Sequence, residues 1–369
     1  MRQRLAIESR RGVLVSVLVA LAALLPAASA AADPAPARCS DVAVPVSIAP
    51  VLPKVYTVRG RLCLPAGAPA RTVQVLLHGA TYNGIYWDFP YEPARYSYVR
   101  AMLAAGYATL DIDRLSFGSS SHPPSALMTM ASSAHAVHQV IQAARRGTIG
   151  PGFARVIAVG HSMGTVMEWR EAAAYHDIDG FIATGNTHHV SLRTAFEIGI
   201  HSYPASMDPH FAGSGLDPGY VTSRPGSRGV FYEAAYADPR VMAVDEATKD
   251  TVTLAEFATY QPELYNGDSS QIDVPVLVAV GRYDRLMCRA DPTDCSSSSS
   301  LLDSEARFYG PRACLQAYVL DRAGHDINLH LNAPDFFAVA ARWADRWVGS
   351  SAAPTSDRRR CTGPVGPAS

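Results

Sequence analysis

The pentapeptide Gly160-His161-Ser162-Met163-Gly164 places a serine between two glycines. Residues 155–159 before it are apolar and β-branched, which predicts a buried strand, and residues 165–174 after it predict a helix. A serine in such a strand-to-helix turn is held in a strained backbone conformation, and the glycines let the strand and the helix approach closely. The pattern therefore predicts that Ser162 exposes its hydroxyl above the sheet edge as a nucleophile.

Length and composition favour one large domain with an insertion. The chain has 369 residues, of which 48% are hydrophobic, and its formal net charge is -1. No basic surface is expected from this balance, so nucleic acid is not an expected partner. The composition predicts no oligomeric state.

The N-terminal residues have the pattern of an export signal. Four arginines precede an apolar run at 13–25, and an A-x-A cleavage pattern follows at 28–30. We therefore expect residues 1–30 to be removed and the protein to be secreted. Paired arginines at 10 and 11 leave both the Sec and the twin-arginine route open. The apolar run is shorter than the ~20 residues that cross a bilayer, so no stable membrane span is expected. A retained anchor is the alternative.

Cysteine usage agrees with export. Six cysteines form an even set, as expected for disulfides in an oxidising compartment. They can pair in many ways, and our preferred pairing joins them in sequential order: Cys39–Cys63, Cys288–Cys295 and Cys314–Cys361. Metal binding is the competing interpretation, which the scattered spacing and the missing C-x-x-C pair disfavour.

Strand-like and helix-like segments alternate along most of the chain. Strands are predicted at 55–65, 73–77, 108–113, 155–159, 180–185, 274–281 and 315–320, and helices at 92–105, 125–146, 165–174 and 334–348. Continuous apolar strands that alternate with helices predict a mostly parallel sheet covered on both faces. Residues 191–270 show no strand regularity and carry many aromatic residues.

A serine nucleophile needs a histidine base, and the histidine is usually oriented by a carboxylate. These groups gather at the carboxyl ends of parallel strands, so the loops after the strands are the places to find them. Asp284 directly follows the predicted strand at 274–281, and His325 lies in a glycine-containing loop after the last strand. Other candidates remain: the carboxylates Asp303 and Asp321, and the histidines His188, His189, His201, His210 and His330.

The loop after the strand at 73–77 is the expected partner of the serine turn. An oxyanion hole needs two backbone N–H groups, one from the residue after the nucleophile and one from this loop. We expect Met163 and Ala80 to supply them. The same loop is rich in aromatic residues, of which Tyr82 and Trp87 are the expected substrate contacts.

Together these motifs resemble the α/β-hydrolase fold superfamily. The matching pieces are Leu77-His78-Gly79, the D-R-x-G-x-G-x-S-like run 113–120, Gly160–Gly164, Gly281–Asp284 and Gly324-His325. Ser116 replaces the usual glycine of the second piece. The resemblance implies a hydrolase core at 31–190 and 271–369, interrupted after the sixth strand by a lid insertion at 191–270. It implies the triad Ser162, Asp284 and His325, with no cofactor and no metal.

Serine at the turn disfavours the dehalogenases and epoxide hydrolases of this superfamily, which use an aspartate. Aromatic residues in 191–270, with no cluster of cations near the triad, favour a small-molecule or lipid-like carboxylic ester with an apolar acyl or aryl group. Lactones, thioesters and peptides are alternative substrates of the same triad, and carbon–carbon hydrolases and perhydrolases share it. A non-catalytic binding protein is the alternative from another class.

Overall fold

The structure is a computed structural model that describes residues 37–67, 70–190, 192–288, 293–350 and 361–366, without the side chains of 192 and 193. The predicted export signal at 1–30 lies outside the described residues. No helix in the described ranges is long and apolar enough to cross a membrane.

The strands in chain order are β1 (Arg38–Val46), β2 (Tyr56–Leu64), β3 (Thr72–Leu77), β4 (Ala108–Asp113), β5 (Arg155–His161), β6 (Gly180–Thr184), β7 (Ser202–Pro204), β8 (Tyr220–Ser223), β9 (Thr251–Thr253), β10 (Val276–Gly281), β11 (Gln316–Leu320) and β12 (Gly363–Pro364). The α-helices are α1 (Pro93–Tyr96), α2 (Tyr98–Ala104), α3 (Met130–Arg146), α4 (Met163–Tyr175), α5 (Leu192–His201), α6 (Pro239–Ala247), α7 (Leu254–Glu263), α8 (Ser298–Glu305) and α9 (Ala333–Trp347).

The central sheet is mostly parallel, as the alternation of elements predicts. Within the described residues its strand order is β1-β2-β4-β3-β5-β6-β10-β11-β12. Only the pairs β1–β2 and β2–β4 are antiparallel. The carboxyl ends of β3, β5, β10 and β11 therefore lie along one edge, and the predicted site loops follow these four strands.

Side-chain alternation on the strands builds an apolar core on each face of the sheet. On β5, Val156 and Ala158 belong to one core, while Ile157 and Val159 belong to the other. Every residue of β3 and of β10 is buried. Such strands form in the sheet centre because both of their faces are covered.

The helix predicted at 125–146 begins later, at Met130. Thr129 caps it: its hydroxyl accepts from the N–H of Ser132, and the Ser132 hydroxyl accepts from the N–H of Thr129. Strand β1 was not predicted, because its exposed positions carry polar residues and Pro45 interrupts the apolar pattern. An edge strand tolerates this composition.

The segment between β6 and β10 is more regular than its sequence indicates. It contains α5, α6 and α7, and β7, β8 and β9 form a small antiparallel sheet. The expectation of no strands in this segment is therefore wrong. These strands have only three or four residues, which is too short for an alternating pattern to stand out from the background.

Three disulfides join the cysteines in the preferred sequential pairing. Cys39 and Cys63 lie directly opposite each other on β1 and β2. Cys314–Cys361 ties the C-terminal strand β12 to the chain just before β11. Together they fix both ends of the described body.

Candidate active site

Ser162 lies at the turn between β5 and α4 with φ 53° and ψ -120°. This backbone conformation is rare for a residue with a side chain and marks a strained turn. The flanking glycines make the turn possible. A Cβ at Gly160 would come within 2.6 Å of the Thr165 backbone, and one at Gly164 within 2.5 Å of the Leu77 carbonyl oxygen.

Asp284 and His325 meet where β10 and β11 end. Nδ1 of His325 lies 2.8 Å from Oδ2 of Asp284, and both side chains are buried. The other carboxylate oxygen of Asp284 accepts from the N–H groups of Leu286 and Met287 at 2.9 and 3.1 Å. These three bonds fix the carboxylate, so it holds the Nδ1–H of His325 and leaves Nε2 as the acceptor.

The charge of Asp284 decides the basicity of His325. Burial by itself lowers the pKa of the imidazole, but the Asp284 charge and hydrogen bond outweigh it and raise the pKa above its ordinary value. Ser162 and His325 line the same cavity. The three predicted residues therefore come together, with the histidine held by the carboxylate beside the serine's cavity.

The other carboxylates and histidines predicted as candidates lie elsewhere or have other partners. Asp321 is more than half exposed and pairs with Arg282, and Asp303 is exposed on α8.

Among the histidines, His188 is buried between Trp169 and Phe308 and bonds Glu305. His330 accepts at Nε2 from the backbone N–H groups of 233 and 324. His189 lies against Phe308, and His210 against Phe211. Only His201 among these also lines the cavity.

Ala80 and Met163, the predicted oxyanion donors, both line this cavity. The N–H of Met163 is the first of α4 and has no acceptor inside that helix. Ala80 precedes Thr81, which has a left-handed backbone with φ 61°. The Thr81 N–H donates to the Thr251 carbonyl at 3.2 Å, and the Thr81 carbonyl accepts from the Asp250 N–H at 2.9 Å.

Two buried arginines bind the carbonyl groups of the loop 78–81, which we call the oxyanion loop. Arg114 donates to the His78 carbonyl at 3.1 Å and to the Gly79 carbonyl at 3.3 Å. Arg228 donates to the carbonyl and the hydroxyl of Thr81. Each guanidinium is paired with a buried carboxylate from the segment between β6 and β10: Arg114 with Glu256 at 2.9 Å, and Arg228 with Asp245 at 2.5 Å.

Tyr82 and Trp87 have different positions. Tyr82 lines the cavity, donates from its hydroxyl to Asp326 at 2.5 Å and lies under the Arg228 guanidinium. Trp87 does not line the cavity, contrary to the expectation. It is fully buried and packs against Tyr86 and Tyr98 in the core.

The cavity is predominantly apolar, and the segment between β6 and β10 contributes much of its wall. Its apolar lining includes Ile198, Val230, Phe231, Phe257, Tyr260, Leu286 and Met287. Three of these are aromatic residues of the predicted lid, and the other predicted lid aromatics do not line the cavity. Sequence reasoning missed Arg228 and Asp245, whose separation of 17 residues in an irregular segment gave no signal.

His161, the residue before the serine, belongs to a second buried network. Its Nε2 lies 3.2 Å from Asp326, the residue after His325, and its Nδ1 lies 3.2 Å from the Thr184 hydroxyl. The rings of His161 and His325 are 4.9 Å apart. Burial and the nearby His325 lower the pKa of His161 well below its ordinary value, so it stays neutral beside His325.

The chain belongs to the alpha/beta hydrolase family, because a model of that family matches residues 74–341. No curated protein sequence matches the chain significantly.

Solved structures share its fold. A putative aryl esterase from Burkholderia cenocepacia is 16% identical, with a TM-score of 0.54 over 83% of this chain and 98% of that one. The esterase domain of a Rhodothermus marinus protein is 13% identical, with a TM-score of 0.52 over 85% and 100%. A meta-cleavage product hydrolase from Pseudomonas fluorescens is 13% identical, with a TM-score of 0.51 over 82% and 96%.

Proposed function

We propose that the protein is a secreted serine hydrolase that cleaves carboxylic esters through an acyl-enzyme. The observation that carries the proposal is the 2.8 Å contact between His325 and Asp284 beside a cavity that Ser162 also lines. A histidine oriented in this way activates a serine hydroxyl, which is otherwise a poor nucleophile.

The reaction runs in two halves. Nε2 of His325 takes the proton of Ser162 as the Oγ atom attacks the ester carbonyl, and the imidazolium then protonates the leaving alcohol. The N–H groups of Met163 and Ala80 bind the oxyanion, a contribution worth about 3 kcal/mol of barrier for each donor. Water activated by the same histidine then attacks the acyl-enzyme and releases the acid.

The cavity supports an apolar acyl or aryl group of moderate size. Its polar side chains near the serine are mostly hydroxyls, and its wall carries Phe231, Phe257 and Met287. Burial against such a wall favours apolar substituents by roughly 25 cal/mol for each Å² removed from water. The proposal gives residues 191–270 the role of a lid, which is supported by the three residues of that segment that line the cavity, Ile198, Phe231 and Phe257. Two structures that share the fold are described as esterases, one of them as a putative aryl esterase.

An extracellular location fits the disulfide-bonded cysteines. All three pairs form disulfides, and structural disulfides persist in oxidising compartments. The arginine-rich, apolar N-terminal sequence supports the same conclusion.

A panel of substrates tests this function. We expect turnover of p-nitrophenyl esters, with kcat/KM rising as the acyl chain lengthens from acetyl and then falling when the cavity is filled. We expect aminoacyl p-nitroanilides to be inert. Faster turnover of the anilides would identify a peptidase, and faster turnover of lactones or thioesters than of any ester would reassign the substrate class. Turnover of none of them by folded protein would support a binding protein instead.

A further inference from the structure

A cluster of ionisable side chains lies between α3 and α4, outside the residues that line the cavity. His138 on α3 faces Glu171 on α4 and Asp177 in the loop after α4. Nδ1 of His138 lies 2.8 Å from Oδ2 of Asp177 and 3.6 Å from Oε1 of Glu171. All three potential ligand atoms lie within 4.8 Å of one another. We call these residues and Glu168 the interhelix cluster.

Five carboxylate oxygens of this cluster are buried and lack donors among the described residues. Glu168 and Glu171 are fully buried, and none of their four oxygens has a hydrogen-bond donor in the described structure. Oδ1 of Asp177 is in the same condition. Buried polar atoms of native proteins nearly always have partners, so five such oxygens in one place indicate a missing cationic or protonic partner.

Glu168 lies three residues before Glu171 on α4, and both of its buried oxygens lack a donor in the part of the chain that the structure describes. With the carboxyl groups of Glu168, Glu171 and Asp177 all ionised, the single imidazolium of His138 would leave most of their negative charge uncompensated, so protons or a cation must supply the balance.

The geometry suits a small tetrahedral cation. A metal with bonds of about 2.0–2.2 Å places its ligand atoms roughly 3.3–3.6 Å apart. The 3.6 Å separation of His138 and Glu171 matches this range. His138 and Asp177, at 2.8 Å, are hydrogen-bonded, so an ion that replaces the Nδ1 proton must move them apart. Zinc accepts an imidazole nitrogen together with carboxylate oxygens, whereas calcium and magnesium prefer oxygen ligands alone.

Neighbouring residues hold the ligands in place. The Tyr175 ring stacks on His138 with centroids 3.8 Å apart, and the Gln142 amide donates to Oδ2 of Asp177 at 2.7 Å. Support of this kind orients the ligands of metal sites. The His138 side chain is 23% exposed, which gives an ion a path from solvent.

We infer that His138, Glu171 and Asp177 bind one Zn²⁺ ion that joins α3 to α4, with Glu168 adding negative charge beside it. The site is structural, because it lies in the helix layer and not in the cavity. Since α4 begins directly after Ser162, the ion anchors the helix that carries the serine turn. The inference does not depend on ester hydrolysis.

Metal binding to the intact protein tests the inference directly. The chelator-treated full chain is dialysed against buffered Zn²⁺, and bound metal is measured by mass spectrometry, with thermal unfolding recorded on the same samples. We expect one equivalent of Zn²⁺ at micromolar free metal, a higher Tm than the metal-free protein, and much weaker binding of Ca²⁺. Wild-type protein that stays folded and binds no stoichiometric Zn²⁺ would overturn the inference, because protons alone would then satisfy the carboxylates. Preference for Ca²⁺ over Zn²⁺ would overturn it as well.

Variants locate the ion. Glu171→Gln and Asp177→Asn should each weaken Zn²⁺ binding by about tenfold or more. Glu263→Gln is the matched control, because it removes a carboxylate from α7 outside the cluster and should leave the stoichiometry and the metal-dependent Tm shift unchanged. Circular dichroism checks that each variant is folded. Zn²⁺ binding that survives both cluster substitutions would contradict the assignment.

Discussion

Arg228 donates from one guanidinium nitrogen to both the hydroxyl and the carbonyl of Thr81, at 2.8 and 3.3 Å. Thr81 follows Ala80, the proposed oxyanion donor, and has a positive φ. A residue in this conformation keeps it only when its surroundings hold it there. The segment between β6 and β10 therefore contributes to the geometry of the oxyanion loop as well as to the cavity wall.

Arg228→Lys should lower kcat by about tenfold to a hundredfold, with less than about a twofold change in KM. A loosened oxyanion donor stabilises the transition state less, while binding of the substrate in its ground state is nearly unchanged. Lysine keeps a positive charge beside Asp245 but cannot bond Asp245 and Thr81 together in the same way. Steady-state kinetics on the best p-nitrophenyl ester measure the effect.

The control for this positioning residue is Arg224→Lys, four residues earlier in the same segment, where the arginine bonds a carbonyl near the surface. It should leave both constants unchanged. Equal kcat values for Arg228→Lys and wild type would contradict the proposed role of Arg228.

Glu256→Gln should lower the free energy of unfolding by about 3 kcal/mol, because it leaves the Arg114 guanidinium buried without its counter-charge. Arg114 is 1% exposed and Glu256 is fully buried, so water cannot replace the lost partner. Guanidinium unfolding followed by fluorescence measures the loss.

Glu263→Gln on the same helix provides the comparison. Its partner Arg170 is 40% exposed, and ion pairs of this kind contribute at most about 1 kcal/mol. Similar losses in the free energy of unfolding for the two variants would show that the buried pair contributes no more to stability than the exposed one.

The pH dependence of kcat/KM should report His325. The base must be neutral, so activity rises with pH through its pKa, and Asp284 places that pKa above the ordinary histidine value. Asp284→Asn should shift this limb to lower pH and reduce the rate by a factor on the order of 10⁴, since the histidine also loses its orienting partner. An unchanged limb in a folded Asp284→Asn protein would exclude Asp284 as the partner.

The same shift has a consequence for stability. Because the folded pKa of His325 is raised, its ion pair stabilises the folded state fully at pH values below the unfolded pKa. The contribution is lost as the pH rises through the folded pKa. Asp284→Asn should therefore destabilise the protein more at acidic than at alkaline pH.

The disulfides should differ in their effect on stability. Cys314 and Cys361 are 47 residues apart and Cys288 and Cys295 only seven. In the chain-entropy model these loops are worth about 4 and about 2 kcal/mol. Replacing the first pair by serines should lower Tm more than replacing the second. A larger effect from the short loop would show that local packing, and not loop closure, sets the contribution.

The sequence predicted the parts of the site that follow strands. Apolar runs located β3, β5, β10 and β11, and the glycines around Ser162 marked the turn. Asp284 and His325 then followed from their places just after strands, because parallel strands bring their carboxyl ends to one edge. The disulfide pairing also agreed with the structure.

The contacts that hold the oxyanion loop could not be predicted in this way. Arg114 and Glu256 are 142 residues apart, and Arg228 and Thr81 are 147 apart. No period or motif connects such pairs, since each arises only when the segment between β6 and β10 folds over the loop. The prediction that Trp87 contacts substrate was wrong for a different reason, because an aromatic side chain fits a pocket wall and a buried core equally well.

Covalent labelling tests the central claim most directly. The account predicts that a p-nitrophenyl organophosphonate adds one equivalent of mass to the wild-type protein, and that the modified peptide contains Ser162. It also predicts that Ser162→Ala is neither labelled nor active on any ester, while its Tm stays close to that of the wild type. Labelling or ester turnover that persists in Ser162→Ala would contradict the account.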